Sequence, residues 1–260
     1  DDGSLKGWVA SALGTAARFY GALPGGTAHV ILAPVPGVDD AGVFGTILRR
    51  ERPSAVLFFG AGARGPDFVG NWMGVHELFH IGNPPMRRRA QWFIEGVTTY
   101  YQDVLRARNQ SRSEIDMWGD LYDGFRRFCD PQEGRSLRDE SERLYELHNY
   151  TRLYWGGACL ALRVDVAIRR RSQGKRSLDD VMRALRQRGL QEPLDEEDVI
   201  AALEDAAGAK GLVRAHLDAL APIDLGPLYR ELGIEPIGPD AVRLRDDAPL
   251  AALRRAIMRW

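Results

Sequence analysis

The stretch His76-Glu77-Leu78-Phe79-His80, followed after the break Gly82-Asn83-Pro84-Pro85 by Trp92-Phe93-Ile94-Glu95-Gly96, decides how this chain reads. The first five residues have the form H-E-x-x-H. On a helix, residues i and i+4 stack on one face, so both imidazoles reach a single ion about 2 Å from each nitrogen. Glu77 lies one step round, where it can flank the ion and hold a water instead of ligating. The spacing predicts a helix from about Val69 to Ile81, with Val69, Met73, Val75 and Phe79 on its apolar side. With 5 His and 36 acidic residues in 260, roughly 0.01 matches to H-[DE]-x-x-H arise by chance, so the motif is a signal.

A catalytic zinc has three protein ligands and one open position. The Gly/Pro break reverses the chain into a second helix, expected from about Gln91 to Arg106. That reversal makes Glu95 the candidate third ligand beside His76 and His80. Two neutral imidazoles and one carboxylate leave enough charge on the ion to acidify a bound water. One Zn2+ per chain is the expected cofactor, with Glu77 as general base.

Upstream, apolar residues at helical spacing (Trp8, Leu13, Ala16, Tyr20) predict a helix closed by Pro24-Gly25-Gly26. Three strands are expected, His29 to Val35, Val43 to Leu48 and Ala55 to Phe59, and then a loop over Gly60 to Gly65. Downstream the pattern is helical: about Ile115 to Phe128, Gly157 to Arg171, Leu178 to Arg186, Glu196 to Ala206 and Leu212 to Leu220. Ser177 with Asp179 and Asp180 reads as a capped helix start. The segment Leu225 to Trp260 is mixed. The expected fold class is α+β: an N-terminal α+β lobe over 1–110 carrying both motif helices, and a mainly helical lobe over 111–260. A cleft between the lobes would have the His76 helix as its floor.

A net charge of −1 provides no global field for nucleic acid or an anionic surface. No apolar run approaches the roughly 18 residues of a membrane span. Two cysteines, Cys129 and Cys159, do not make a disulfide framework. Cys159, inside the apolar run 158–162, is expected as a buried small hydrophobe. A start at Asp1 rather than Met predicts a processed or trimmed chain.

The segments HELFHIGN, WFIEGVTTYY, and YWGG followed by IRRRSQGKRSLDDVMRAL together resemble the catalytic domain of the glycyl aminopeptidase family of gluzincin metallopeptidases, over roughly Val69 to Leu185. The resemblance implies a thermolysin-like zincin lobe (a small mixed sheet plus the zinc-binding helix), a helical lobe, one zinc and peptide hydrolysis. It assigns His76, His80 and Glu95 as ligands and Glu77 as base. Tyr154, opening the Tyr-x-x-Gly element, matches the tyrosine that stabilises the tetrahedral intermediate in related aminopeptidases. Its other reading is aromatic core, among Tyr145, Tyr150 and Trp155. Asn83 matches the family's asparagine after the second histidine.

Departures from the family pattern are equally readable. Gly82 stands where relatives usually have Trp. The segment Gly42-Val43-Phe44-Gly45-Thr46 lacks the glutamate that binds a substrate's free amine in the wider group. Many relatives also carry a β-sandwich and a PDZ module that these 260 residues do not contain. The substrate backbone is expected along Val43 to Leu48 by strand addition, with Phe44, Gly45 and Thr46 in contact. The expected partner is a peptide or protein substrate, and an extracytoplasmic location is favoured over a cytoplasmic one. The rival class is a non-hydrolytic, zinc-containing peptide-binding module. Arg87-Arg88-Arg89 reads as solvated surface, His148 as a surface cap, His29 as a strand residue and His216 as a helix-surface residue. Thr98 and Thr99 are candidates to hydrogen-bond a ligand.

Overall fold

The computed structural model describes residues 2–48, 53–88 and 90–260. The chain divides into two compact units, Asp1–Asn83 with Arg108–Arg112, and Pro84–Ala107 with Ser113–Trp260.

In the first unit, helix α1 (Asp2–Tyr20) precedes strands β1 (His29–Val35), β2 (Phe44–Leu48) and β3 (Ser54–Gly60), the short helix α2 (Gly65–Phe68) and helix α3 (Trp72–Phe79), which runs on into a 3-10 turn, His80–Gly82. The strand expectations hold to within a residue. The sheet order is β1-β3-β2, with β3 parallel to β1 and antiparallel to β2, which makes the sheet mixed. Gly45 and Ile47 pair with Leu57 and Ala55, and those two β3 side chains are fully buried. Alternation therefore directs Gly45 inward and leaves Phe44 and Leu48 exposed.

The buried face of α1 is Trp8, Ala12, Ala16 and Phe19, packed against α3. Leu13 and Tyr20, expected on that face, are half-buried beside it. The expected Val69–Ile81 helix is shorter at its start. Gly70 has φ +72°, a left-handed conformation that separates α2 from α3. Val69 thus lies outside the helix and is 78% exposed rather than apolar floor.

The second unit contains α4 (Gln91–Arg108), α5 (Glu114–Phe128), α6 (Leu137–Glu142), α7 (Leu144–Leu147), α8 (Tyr150–Arg171), α9 (Leu178–Gln191), α10 (Glu196–Ala207), α11 (Leu212–Leu217), α12 (Gly226–Leu232), the hairpin β4 (Ile234–Pro236) and β5 (Val242–Leu244), and α13 (Ala251–Ile257). α8 is packed by α5, α6, α9, α10, α11 and α13, which explains why apolar residues surround it from Gly156 to Ile168. It begins at Tyr150, two turns before the expected Gly157, so Tyr154 is a helical residue. Asp180 accepts from the Ser177 N–H at 2.9 Å, as the capping pattern predicts.

Two expectations are corrected. Cys129 and Cys159 are buried but joined as a disulfide across a sequence separation of 30. The packing of α5 on α8 sets their Cα atoms 5.8 Å apart, within bridging range, and a spacing in sequence carries no trace of that approach. His216 is 2% exposed rather than on the surface of its helix. The Arg163 guanidinium donates to its Nδ1 at 2.8 Å, which leaves Nε2–H to donate to the Gly156 carbonyl at 3.2 Å. Burial first, and the Arg163 charge second, push its pKa down to about 3.

Candidate metal centre

In the first unit, α3, with the 3-10 turn that continues it, carries the histidine pair. Asn71 caps it by accepting from the Met73 N–H at 3.0 Å. One turn later His76 and His80 stack on a common face, 2% and 6% exposed. Their Nε2 atoms are 3.2 Å apart. Two ligands of a tetrahedral ion with bonds of about 2.0–2.1 Å stand about 3.3 Å apart, so this pair spans one edge of such a site. Trp72 presents its ring edge to His76 at 5.6 Å, walling the imidazole on one side.

Asn83 closes the 3-10 turn, with its amide 3.0 Å from His80 Nδ1. An imidazole that ligates through Nε2 carries its proton on Nδ1. The amide then presents its oxygen, which a half-turn of the side chain supplies. Gly82 has no room for a side chain: a Cβ there would lie 1.8 Å from the Tyr20 ring. That ring also packs on Phe79 at 5.4 Å.

Glu77 is half-buried beside the imidazole pair and lies against β2. A Cβ on Gly45 would be 2.3 Å from Glu77 Cγ and 2.5 Å from Cδ. Strand backbone and carboxylate side chain are in direct contact only because residue 45 has no side chain. Phe44 is exposed and Thr46 half-buried, on an edge strand of the sheet among the described residues.

In the second unit, Glu95 and Tyr154 flank a helix crossing. Glu95, half-buried, is followed by Gly96 on α4; Tyr154, also half-buried, precedes Gly157 by one turn on α8. A Cβ on Gly96 would sit 2.3 Å from Gly157 Cα. The two backbones meet there, which sets the Glu95 turn against the Tyr154 turn. Further along the same two helices, buried Asp165 accepts from Tyr100 Oη at 2.9 Å, Arg169 Nε at 3.0 Å and Leu178 N at 2.8 Å, locking α4, α8 and α9 together. Thr98 donates to the Ile94 carbonyl of its own helix at 2.7 Å.

Among the described residues, the donors that suit a metal ion are His76 and His80 in the first unit, Glu95 in the second unit, and the second unit's own group of Cys129, Cys159 and His216. The group of Cys129, Cys159 and His216 is closed by its own chemistry. Its sulfurs are bonded to each other and both His216 nitrogens are engaged. His76, His80 and Glu95 are of the ligand types that a catalytic zinc takes.

Several other residues singled out in the sequence, and the acid ahead of β2, make contacts of their own. Arg87 pairs with Glu192 and with Asp195, the latter at 2.8 Å, on an exposed surface. Arg88 is exposed, and Arg89 lies outside the described residues. His148 is an exposed residue at φ +53° that contacts the Glu146 carbonyl, and His29 is an exposed strand residue. Asp40 accepts from the Gly42 N–H at 2.9 Å within its own loop.

Residues 82–156, under a third of the chain, match the family model of the M61 glycyl aminopeptidases. The match begins after the His76–His80 pair and takes in Glu95 and Tyr154. No curated protein matches the chain in sequence. Among solved structures, an aminopeptidase N family protein from Idiomarina loihiensis superposes with a TM-score of 0.71 at 20% identity, over 90% of this chain and 45% of that one. The chain therefore spans less than half the length of that structure and has a fold like part of it. The family match supports a metallopeptidase-like domain.

Proposed function

We propose that this chain is a zinc-dependent peptidase in which His76, His80 and Glu95 hold one zinc ion, Glu77 is the general base and Tyr154 is the oxyanion donor. The observation that carries the reading is the pair of buried imidazoles with Nε2 atoms 3.2 Å apart, next in sequence to a carboxylate. The M61 match over 82–156 supports the peptidase class, and the donor set supports zinc.

A bound zinc ion supplies Lewis-acid polarisation of the scissile carbonyl and makes water more acidic. Glu77 takes the proton of the attacking water and returns it to the leaving amine. The Tyr154 phenol donates to the carbonyl oxygen as negative charge develops there, from a helix that bears no ligand. Strand β2 offers its edge, at Phe44, Gly45 and Thr46, to an extended peptide.

The test is Glu77→Gln, assayed for zinc content and for cleavage of a peptide library. The variant is expected to keep about one zinc per chain and to lose at least roughly 10³-fold in kcat/KM. Cleavage at the parent rate would defeat the proposal. A parent chain that binds zinc and peptides without cleaving them would be the binding module instead.

A further inference from the structure

Residue 45 lies in a regular strand, and its φ is not in the left-handed region that favours glycine. Alanine is the better strand residue and has the less costly unfolded state, so the backbone gives no reason for glycine here. The reason is steric. The space a side chain would fill holds the Glu77 side chain from Cγ to its carboxylate, with Cγ, Cδ and Oε1 at 2.3, 2.5 and 2.8 Å from the missing Cβ. Of these atoms Cδ and Oε1 belong to the carboxylate end, which can turn aside, whereas Cγ is held closer to the helix backbone. Relieving a Cγ contact requires rotation about the first side-chain bond, and that rotation carries the whole carboxylate with it.

The flanking geometry leaves no other relief. Gly45 pairs with Leu57 and is followed two residues on by Ile47, which pairs with Ala55. Leu57 and Ala55 are both fully buried, so strand β2 cannot retreat from α3 without opening the core beneath it.

We infer that Gly45 is a positioning residue for Glu77: the missing side chain is the seat that holds the Glu77 carboxylate in place, and strand β2 thereby couples the substrate-bearing edge to the base. This rests on Glu77 being the base. Misplacing a catalytic group by about 1 Å costs about 10²-fold in turnover, which is the expected size of the effect. The same space excludes an amine-binding carboxylate from position 45 for as long as Glu77 sits there.

The test is a double-mutant cycle of Gly45→Ala with Glu77→Ala, run on the full zinc-loaded chain. Gly45→Ala alone is expected to lower kcat by about 10²-fold with KM within about threefold and zinc content unchanged. It is also expected to lower Tm by a few degrees. In the Glu77→Ala background the space is free, so adding Gly45→Ala should leave Tm unchanged or raise it. Equal Tm losses in both backgrounds would overturn the proposal, as would a Gly45→Ala chain with parental kcat. If Glu77→Ala itself keeps parental turnover, the base assignment fails, while the Tm cycle still reports the Gly45–Glu77 contact.

Discussion

Gly96 and Gly157 meet backbone to backbone: a Cβ on Gly96 would lie 2.3 Å from Gly157 Cα, and one on Gly157 would lie 2.2 Å from the Trp92 carbonyl oxygen. Helix propensity alone predicts that alanine at either position stabilises by up to about 1 kcal/mol. The contact predicts the opposite sign, a loss of about 1–3 kcal/mol from overpacking. Urea unfolding of Gly96→Ala and Gly157→Ala decides between them. Gly14→Ala on α1, with nothing within 4 Å of its Cβ, is the control and should gain stability.

Asn83 should tune metal affinity without ligating. Its amide faces His80 Nδ1 at 3.0 Å, and loss of such a partner typically weakens metal binding 10–100-fold. Asn83→Ala is expected to raise the zinc Kd by about that factor, measured by chelator competition. His76→Ala and His80→Ala should abolish stoichiometric zinc. An unchanged Kd in Asn83→Ala would return the residue to capping the 3-10 turn.

The Cys129–Cys159 bridge closes a separation of 30 residues, for which the chain-entropy relation gives about 3–4 kcal/mol. Reduction, or Cys159→Ser, should therefore lower the unfolding free energy by roughly that amount, and thiol titration of the native chain should find no free sulfhydryl. One free thiol per cysteine would show that the bridge is not formed.

Burial pushes the Asp103 carboxyl up to about 7; the Arg106 charge pulls it down, and that of Asp120 pushes it up. The folded chain thus retains a proton that the unfolded chain releases above pH 3.8. The unfolded state binds fewer protons between those values, so stability falls as pH rises through the window. Asp103→Asn cannot ionise and keeps an oxygen for Arg106 Nη1. Its Tm should gain on the parent between pH 5 and pH 8. A constant difference across that range would refute the assignment.

Position 45 provides no carboxylate for a substrate ammonium, and a buried ammonium without a partner is costly. The acids a few residues earlier are Asp39 and Asp40, of which Asp40 accepts from the Gly42 N–H within its own loop. The chain is therefore expected to cleave an N-acetylated peptide about as well as the free one. A 100-fold loss in kcat/KM on acetylation, about 2.7 kcal/mol, would reveal a dedicated amine site.

The sequence by itself determined whatever depends on near neighbours along the chain. The i, i+4 pairing of His76 and His80, the strands around Ile31, Thr46 and Leu57, the capped start at Ser177 and the α4 helix all follow from local periodicity and capping chemistry. Tertiary structure alone decided what depends on residues far apart. Gly45 reads in the sequence as a gap in a motif, and only the packing of β2 on α3 reveals it as the seat of Glu77. Cys159 reads as a buried hydrophobe until α5 brings Cys129 to it, and His216 reads as surface until α8 and Arg163 enclose it. Val69 has the hydrophobicity of a core residue, yet the backbone turn at Gly70 leaves it in solvent. Local patterns record which way a side chain points along its own element. The chain's return path, which sets what that side chain meets, depends on contacts summed over the whole core.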